Sequence, residues 1–209
     1  MKRLLTVLSV VSLGMSACGG RGPEENATVT DVPGSSWSEL AAPELSSVQQ
    51  EQLARAIEAR DEMARTLMGE LQAELEIGGP AGAVVVCRDL APMIAAHVTD
   101  EHGLRIGRTS HRLRNPSNRP PAWALEPVTG GVDRQTILAG PGGELGVLLP
   151  IRVAPPCLTC HGDPDAIDPA VRTAISDSYP DDRATGFAEG DLRGWFWVEV
   201  PTPAALDAS

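Results

Sequence analysis

Five residues, Cys157-Leu158-Thr159-Cys160-His161, constrain this chain more than any other stretch. Two thiols stand two residues apart, and an imidazole follows the second directly. Three chemistries use such a pair: a redox dithiol, half of a zinc site, and covalent attachment of haem c. A zinc site needs two more ligands at short spacing, and the other cysteines, Cys18 and Cys87, do not form a second pair. A redox dithiol ordinarily opens a helix that follows a strand. Here Pro155-Pro156 precede the pair and Gly162-Asp163-Pro164 follow it, which isolates a short turn. The spacing therefore reads as haem attachment. Each thiol adds across one vinyl group, and the turn sets the next side chain beneath the iron. Cys157 and Cys160 are the expected attachment points for one covalent haem c, and His161 is the expected proximal ligand.

The first residues carry an address. Met1-Lys2-Arg3 is followed by an apolar run from Leu4 to Leu13 and then Met15-Ser16-Ala17-Cys18, the pattern of a secretory leader. The run is too short for a permanent membrane span. Ser16-Ala17 before Cys18 is similar to a bacterial lipobox, which implies a signal peptide over 1–17, cleavage before Cys18 and lipid on its thiol. Ordinary leader cleavage beside an incidental cysteine is the competing reading. The expected location is the cell envelope, as a lipoprotein facing the periplasm, and Gly19 leaves an outer-membrane address open. Removing Lys2 and Arg3 with the leader takes the formal net charge from −11 to −13, and every basic residue left is arginine. So acidic a surface argues against nucleic-acid binding and would suit a basic partner at low ionic strength.

Residues 18–45 are rich in Gly, Pro, Ser and Glu and read as a flexible tether. The domain is expected over 46–203, with a short tail at 204–209. Ser47-Val48-Gln49-Gln50 fits a capping box. Leu53, Ile57, Ala64, Leu67, Met68, Leu71 and Leu75 then recur at helical spacing until Gly78-Gly79-Pro80. A helix of that length spans ~45 Å. It could protrude, pair with a second copy in a homodimer, or lie across the domain. A second helix is expected from Ala81 to about Val98, with a kink just beyond Cys87, because Pro92 cannot bond the carbonyl of Arg88. Gly103–Arg108, Gln135–Ala139, Leu145–Val153 and Gly194–Val200 read as strands, the middle two forming a hairpin through Gly140-Pro141-Gly142-Gly143. Asp168–Asp177 reads as a short helix. Four strands with helices before and between them predict an α+β domain with an antiparallel sheet.

A haem iron has a second axial position. Cys87, Met93, His97, His102 and His111 are the candidates from residues alone, and they stay open at this point. Cys87 stands out as a thiol without other employment on an apolar helix stripe, although a buried inert cysteine is a frequent outcome. Arg108, Arg112 and Arg114 could pair with haem propionates or serve as structural ion pairs. Asp181, Asp182 and Asp191 read as turn-fixing residues. Trp195 and Trp197, on alternate positions of one strand, read as core.

Several motifs taken together are more specific. Val86-Cys87, Ala91-Pro92-Met93-Ile94-Ala95, Gly107-Arg108-Thr109-Ser110, Arg114-Asn115-Pro116-Ser117-Asn118 and Pro121-Ala122-Trp123 come first. Cys157–Gly162, Tyr179–Phe187 and Gly190–Gly194 complete the set. In this order the chain resembles the PAS-like single-haem c-type cytochrome domain, which occurs alone and as the sensory front of bacterial histidine kinases. The resemblance implies a PAS-like antiparallel sheet, with His161 as proximal ligand and Cys87 as the opposite iron ligand. A thiolate ligand that could leave on reduction, opening the iron to a small gas, points to redox or diatomic-gas sensing by a tethered monohaem protein whose output passes to a redox or signalling partner. A periplasmic electron-transfer cytochrome is the alternative. A haem enzyme would need distal acid–base residues for which the sequence offers no clear set, so no catalytic residues are expected.

Overall fold

The computed structural model describes residues 36–202. The leader, Cys18, most of the tether and the tail at 204–209 lie outside the described residues. In chain order the elements are β1 (Ser38–Leu40), a 3-10 turn (Ala42–Glu44), α1 (Ser47–Ile77), α2 (Gly79–Val85), a π turn (Val86–Leu90), α3 (Ala91–His102) and β2 (Arg105–Thr109). A 3-10 turn (Ala122–Ala124) then runs into α4 (Leu125–Thr129), followed by β3 (Thr136–Ala139) and β4 (Leu145–Arg152). A last 3-10 turn (Pro155–Cys157) leads to α5 (Leu158–His161), α6 (Pro169–Ser178) and β5 (Leu192–Val200). The sheet is antiparallel throughout, in the order β1-β3-β4-β5-β2. The class is α+β, with a long N-terminal helix.

Strand alternation builds two cores on this sheet. On β5, Phe196, Val198 and Val200 join Leu145, Val147 and Leu149 of β4, and this face packs on Ala56, Ala59, Met63 and Leu67 of α1 and on Ile94 and Val98 of α3. The intervening Trp195 and Trp197 face the other way, with Trp123, Leu138 and Leu148. Trp195 is fully buried and its indole N–H donates to the Val132 carbonyl at 2.8 Å. Gly107 of β2 sits where a Cβ would come within 2.6 Å of the Trp197 ring, so the close approach of that indole requires glycine.

Helix α1 starts one residue before the expected cap. Ser46-Ser47-Val48-Gln49-Gln50 contains two overlapping Ser-x-x-Gln patterns, and the structure uses Ser46 with Gln49. Gln50 is engaged elsewhere, donating to the Leu45 carbonyl at 2.9 Å. Buried Gln52 ties the helix to the sheet, its amide donating to the carbonyls of Gly143, Val200 and Pro201. The first half of α1 lies across the sheet. Past Leu67 the helix runs beyond it, and Met68 and Ile77 are 51% and 84% exposed.

Two sequence expectations are corrected. The sheet has five strands, because Ser38–Leu40 pairs with Leu40↔Ile137 through Ser38↔Ala139. Residues 38–45 of the expected tether thus belong to the domain, and Leu45 is buried beneath α1. The second helix runs from Gly79 to His102 without a sharp break. The expected discontinuity at Cys87 takes the form of the π turn, where the Ala91 N–H bonds the Val86 carbonyl. One extra residue in the turn relieves the crowding that the Pro92 ring, lacking an N–H, would cause in an α-helix.

Candidate functional site

Leaving β4, the chain meets Pro155-Pro156, which cannot continue the ladder, and turns into the 3-10 and α5 segment that carries both thiols. The turn is closed by the Cys157 N–H on the Ala154 carbonyl and the Gly162 N–H on the Leu158 carbonyl, each at 2.9 Å. A Cβ at Gly162 would lie 2.6 Å from the Leu158 carbonyl oxygen, so only glycine closes the turn this tightly. Cys157, Cys160 and Cys87 are all free, half-buried thiols. Cys157 and Leu158 pack on Val153, Ala184 and Phe187. Cys160 packs on Val84, Ile167, Val171, Ile175 and Tyr179.

His161 is held by a strap, residues 184–187, lying alongside it. The imidazole Nδ1 donates to the Ala184 carbonyl at 2.6 Å, the tautomer being fixed by an acceptor that has no proton to give. The Phe187 N–H donates to the His161 carbonyl at 2.9 Å, and the Gly186 N–H to the Gly162 carbonyl at 2.6 Å. Two arginines secure the strap from behind. Arg112 donates to the carbonyls of Arg183 and Thr185. Arg114, 8% exposed, forms an ion pair with Asp182 at 3.1 Å and donates to the carbonyls of Cys160 and Ala184 at 2.6 and 3.4 Å. Asp182 in turn accepts the Ala184 N–H at 2.9 Å. Nδ1 is therefore occupied, and Nε2 is the nitrogen with a free lone pair.

Burial and clustered arginines set the electrostatics of this region. Burial, with Arg193 and Arg114 next, pushes the His161 imidazole down to about 3, so the ring is neutral at physiological pH. Burial pushes the Cys160 thiol up and the Tyr179 phenol up to about 12. Burial, then Arg114 and Arg108, brings Arg193 down to about 10, and burial also lowers Arg108. Four cationic or imidazole groups thus share one poorly solvated region. Asp182 balances part of that charge.

Cys87 belongs to the same region. It sits in the π turn, three residues after Val84, which packs in the Cys160 cluster. A thiolate at this position would act electrostatically on Cys160, Tyr179, Arg108 and Arg193. The other axial candidates lie elsewhere. Met93 is 65% exposed. The His97 side chain is 71% exposed beside Glu101. The His102 Nε2 is 2.8 Å from Glu62. His111 stacks edge-on against Phe187 and Trp195, with Phe187 between it and His161. Cys18 lies outside the described residues.

Of the three arginines singled out in the sequence, Arg112 and Arg114 are structural. The guanidinium of half-buried Arg108 makes no hydrogen bond or ion pair among the described residues. Asp182 fixes a turn as its position suggested, and beyond that holds a buried guanidinium. Sequence reasoning did not find the roles of Ala184, Phe187 and Arg193. Ala184 acts through backbone groups, which leave no residue-type signal, and Phe187 acts through its N–H and through a ring whose neighbours are distant in sequence. Arg193, whose guanidinium donates to Ser110 Oγ and lies 5.4 Å from the Phe187 ring, carried a signal that any strand arginine would carry.

A family model described as Tll0287-like, Tll0287, matches residues 41–201. A solved structure described as the crystal structure of the cyanobacterial heme-protein Tll0287 is similar, with 24% identity, a TM-score of 0.56, and coverage of 72% of this chain and 95% of that chain. At that identity the likeness speaks for the fold. No curated protein matches.

Proposed function

This chain belongs to the Tll0287-like family, and on that premise we propose that it is a monohaem protein in which Cys157 and Cys160 hold haem c and His161 and Cys87 ligate its iron. The observation that carries the proposal is the His161–Ala184 bond: it leaves a neutral Nε2 as a ready metal ligand, the arrangement that metal-binding histidines use. The free thiols of the Cys157–Cys160 turn and the placement of Cys87 support the rest. Arg108, with its donors unspent, is the guanidinium suited to a propionate. The antiparallel sheet with helices packed on it supports a PAS-like reading of the fold.

Bound haem would supply a one-electron couple and, wherever a ligand leaves, a site for a diatomic gas. The chain's own part is to set that couple. Cys87 as thiolate favours the ferric state and lowers the potential relative to His/Met ligation. Were the iron reduced by an electron from a partner protein, a Cys87 thiolate would be held less tightly, and its protonation from solvent would free the π turn to move. The function is redox or gas sensing, in a protein tethered to the periplasmic face of an envelope membrane through Cys18. A second reading, electron carriage, is favoured by one observation. The rings of His161, Phe187 and exposed His111 lie 6.4 and 6.2 Å apart in series, a short path from the site to the surface.

Protein matured in a host with a haem c attachment system should gain the mass of one haem, lost in C157S/C160S. Its ferric spectrum should carry a thiolate signature that disappears in C87S. An unmodified mass removes the haem reading; a C87S spectrum identical to wild type removes the thiolate. Carbon monoxide binding on reduction, with loss of exchange protection over residues 79–102, favours sensing over carriage.

A further inference from the structure

A second set of metal-type donors lies between α1 and α3. His97 and Glu101 stand one turn apart on α3, their Nε2 and Oε2 3.1 Å from each other. Glu62 of α1 faces them, and ligand atoms of all three residues lie within 4.8 Å of one another. We propose that Glu62, His97 and Glu101 form a binding site for a divalent first-row transition metal such as zinc, independent of the haem reading.

Geometry is the first support. Three donors at about 2.0–2.1 Å from a tetrahedral zinc are about 3.3 Å apart. One pair already meets that spacing, and the others, within 4.8 Å, need to close by at most about 1.5 Å, within the reach of a glutamate rotamer. Fixation is the second. Glu62 is half-buried, and its Oε2 is held by the His102 Nε2 at 2.8 Å. His102, only 14% exposed in its side chain, ends α3, and Arg55 donates to its carbonyl at 2.7 Å. A ligating carboxylate braced by a half-buried imidazole is the outer-shell support that metal sites use. His102 is thus a positioning residue. Ligand chemistry is the third. An imidazole among carboxylates selects zinc, nickel, copper or iron over magnesium and calcium. His97 and Glu101 lie on the solvent side, so a fourth position is open to water, and a bound ion would clamp α1 to α3 about 15 Å along the helix from Cys87.

The test is calorimetric titration of chelator-treated full-length protein with zinc alone. Wild type and C157S/C160S should bind one equivalent. H97A and E62Q should lose at least tenfold in affinity. H102A should lose about tenfold by releasing Glu62, and zinc should raise the thermal midpoint only in proteins that bind it. The altered side chains are exposed or half-buried, so circular dichroism should show the fold kept; E101Q, whose side chain is 56% exposed, gives the same reading if E62Q unfolds. Absence of saturable binding to wild type overturns the site. So does affinity unchanged in H97A and E101Q, and so does binding that vanishes in C157S/C160S.

Discussion

The Nδ1 of His161 lies 2.6 Å from the carbonyl oxygen of Ala184, and the same oxygen takes a longer bond from Arg114. Ala184 itself is held at its N–H by Asp182. One residue with no functional side chain therefore decides which ring nitrogen of the histidine is free, and a buried ion pair decides where that residue sits.

Replacing Asp182 with Asn should be costly. Arg114 would keep its charge in a site 8% exposed, with only carbonyls to face it. Removing one partner of a buried pair costs about 3–5 kcal/mol. Urea unfolding should show the midpoint falling with an unchanged slope. A loss below about 1 kcal/mol, the surface-pair range, would mean that the pair does not carry the strap.

Tyr179 is the single tyrosine of the chain, so its ionisation can be followed optically without ambiguity. Burial, and then the charge of Cys87, raise the phenol to about 12. A raised folded-state pKa means stability that is complete below the ordinary value near 10 and lost as pH climbs from there through about 12. The absorbance transition of folded protein should lie well above that of the unfolded chain, and C87S should move it part of the way back. A transition at the unfolded value would place the phenol in water.

Pro92→Ala restores an N–H and removes the ring that crowds the preceding turn. The π turn should then relax to an α-helix, rotating Cys87 by about 100° relative to α3. Expected is faster reaction of Cys87 with a thiol reagent in haem-free protein, at undiminished stability. Unchanged reactivity would show that packing on α1 and α6 holds the π turn without help from proline.

What was legible in the sequence was local. The thiol turn, the β3–β4 hairpin, β5 and the reach of α1 each announce themselves within a dozen residues, through spacing, glycine or apolar period. The break at Pro92 was legible as a break, but nothing in residue types distinguishes a kink from an added residue. Strand β1 left no pattern, because Ser38-Glu39-Leu40 is too short to alternate and exists through its partner β3. The site's supports were invisible for a related reason. Arg114 and Asp182 are 68 residues apart, and His161 and Ala184 are 23 apart. Such pairs form only once the sheet and α6 have set the distances. Cys87 occupied an intermediate place: its stripe was readable, and its place beside the Cys160 cluster depended on how α2 packs against α6.

Strand β1 has a practical meaning for anyone trimming this protein. It is three residues long, yet it caps the outer backbone row of β3, whose side chains are otherwise core. A fragment beginning after Leu40 would keep every residue of the thiol site and still present a raw sheet border. Unpaired amides and carbonyls along such a border recruit one another. The shortened molecule would be chemically intact and sticky, and self-association measured on it would report the missing ribbon instead of a native assembly.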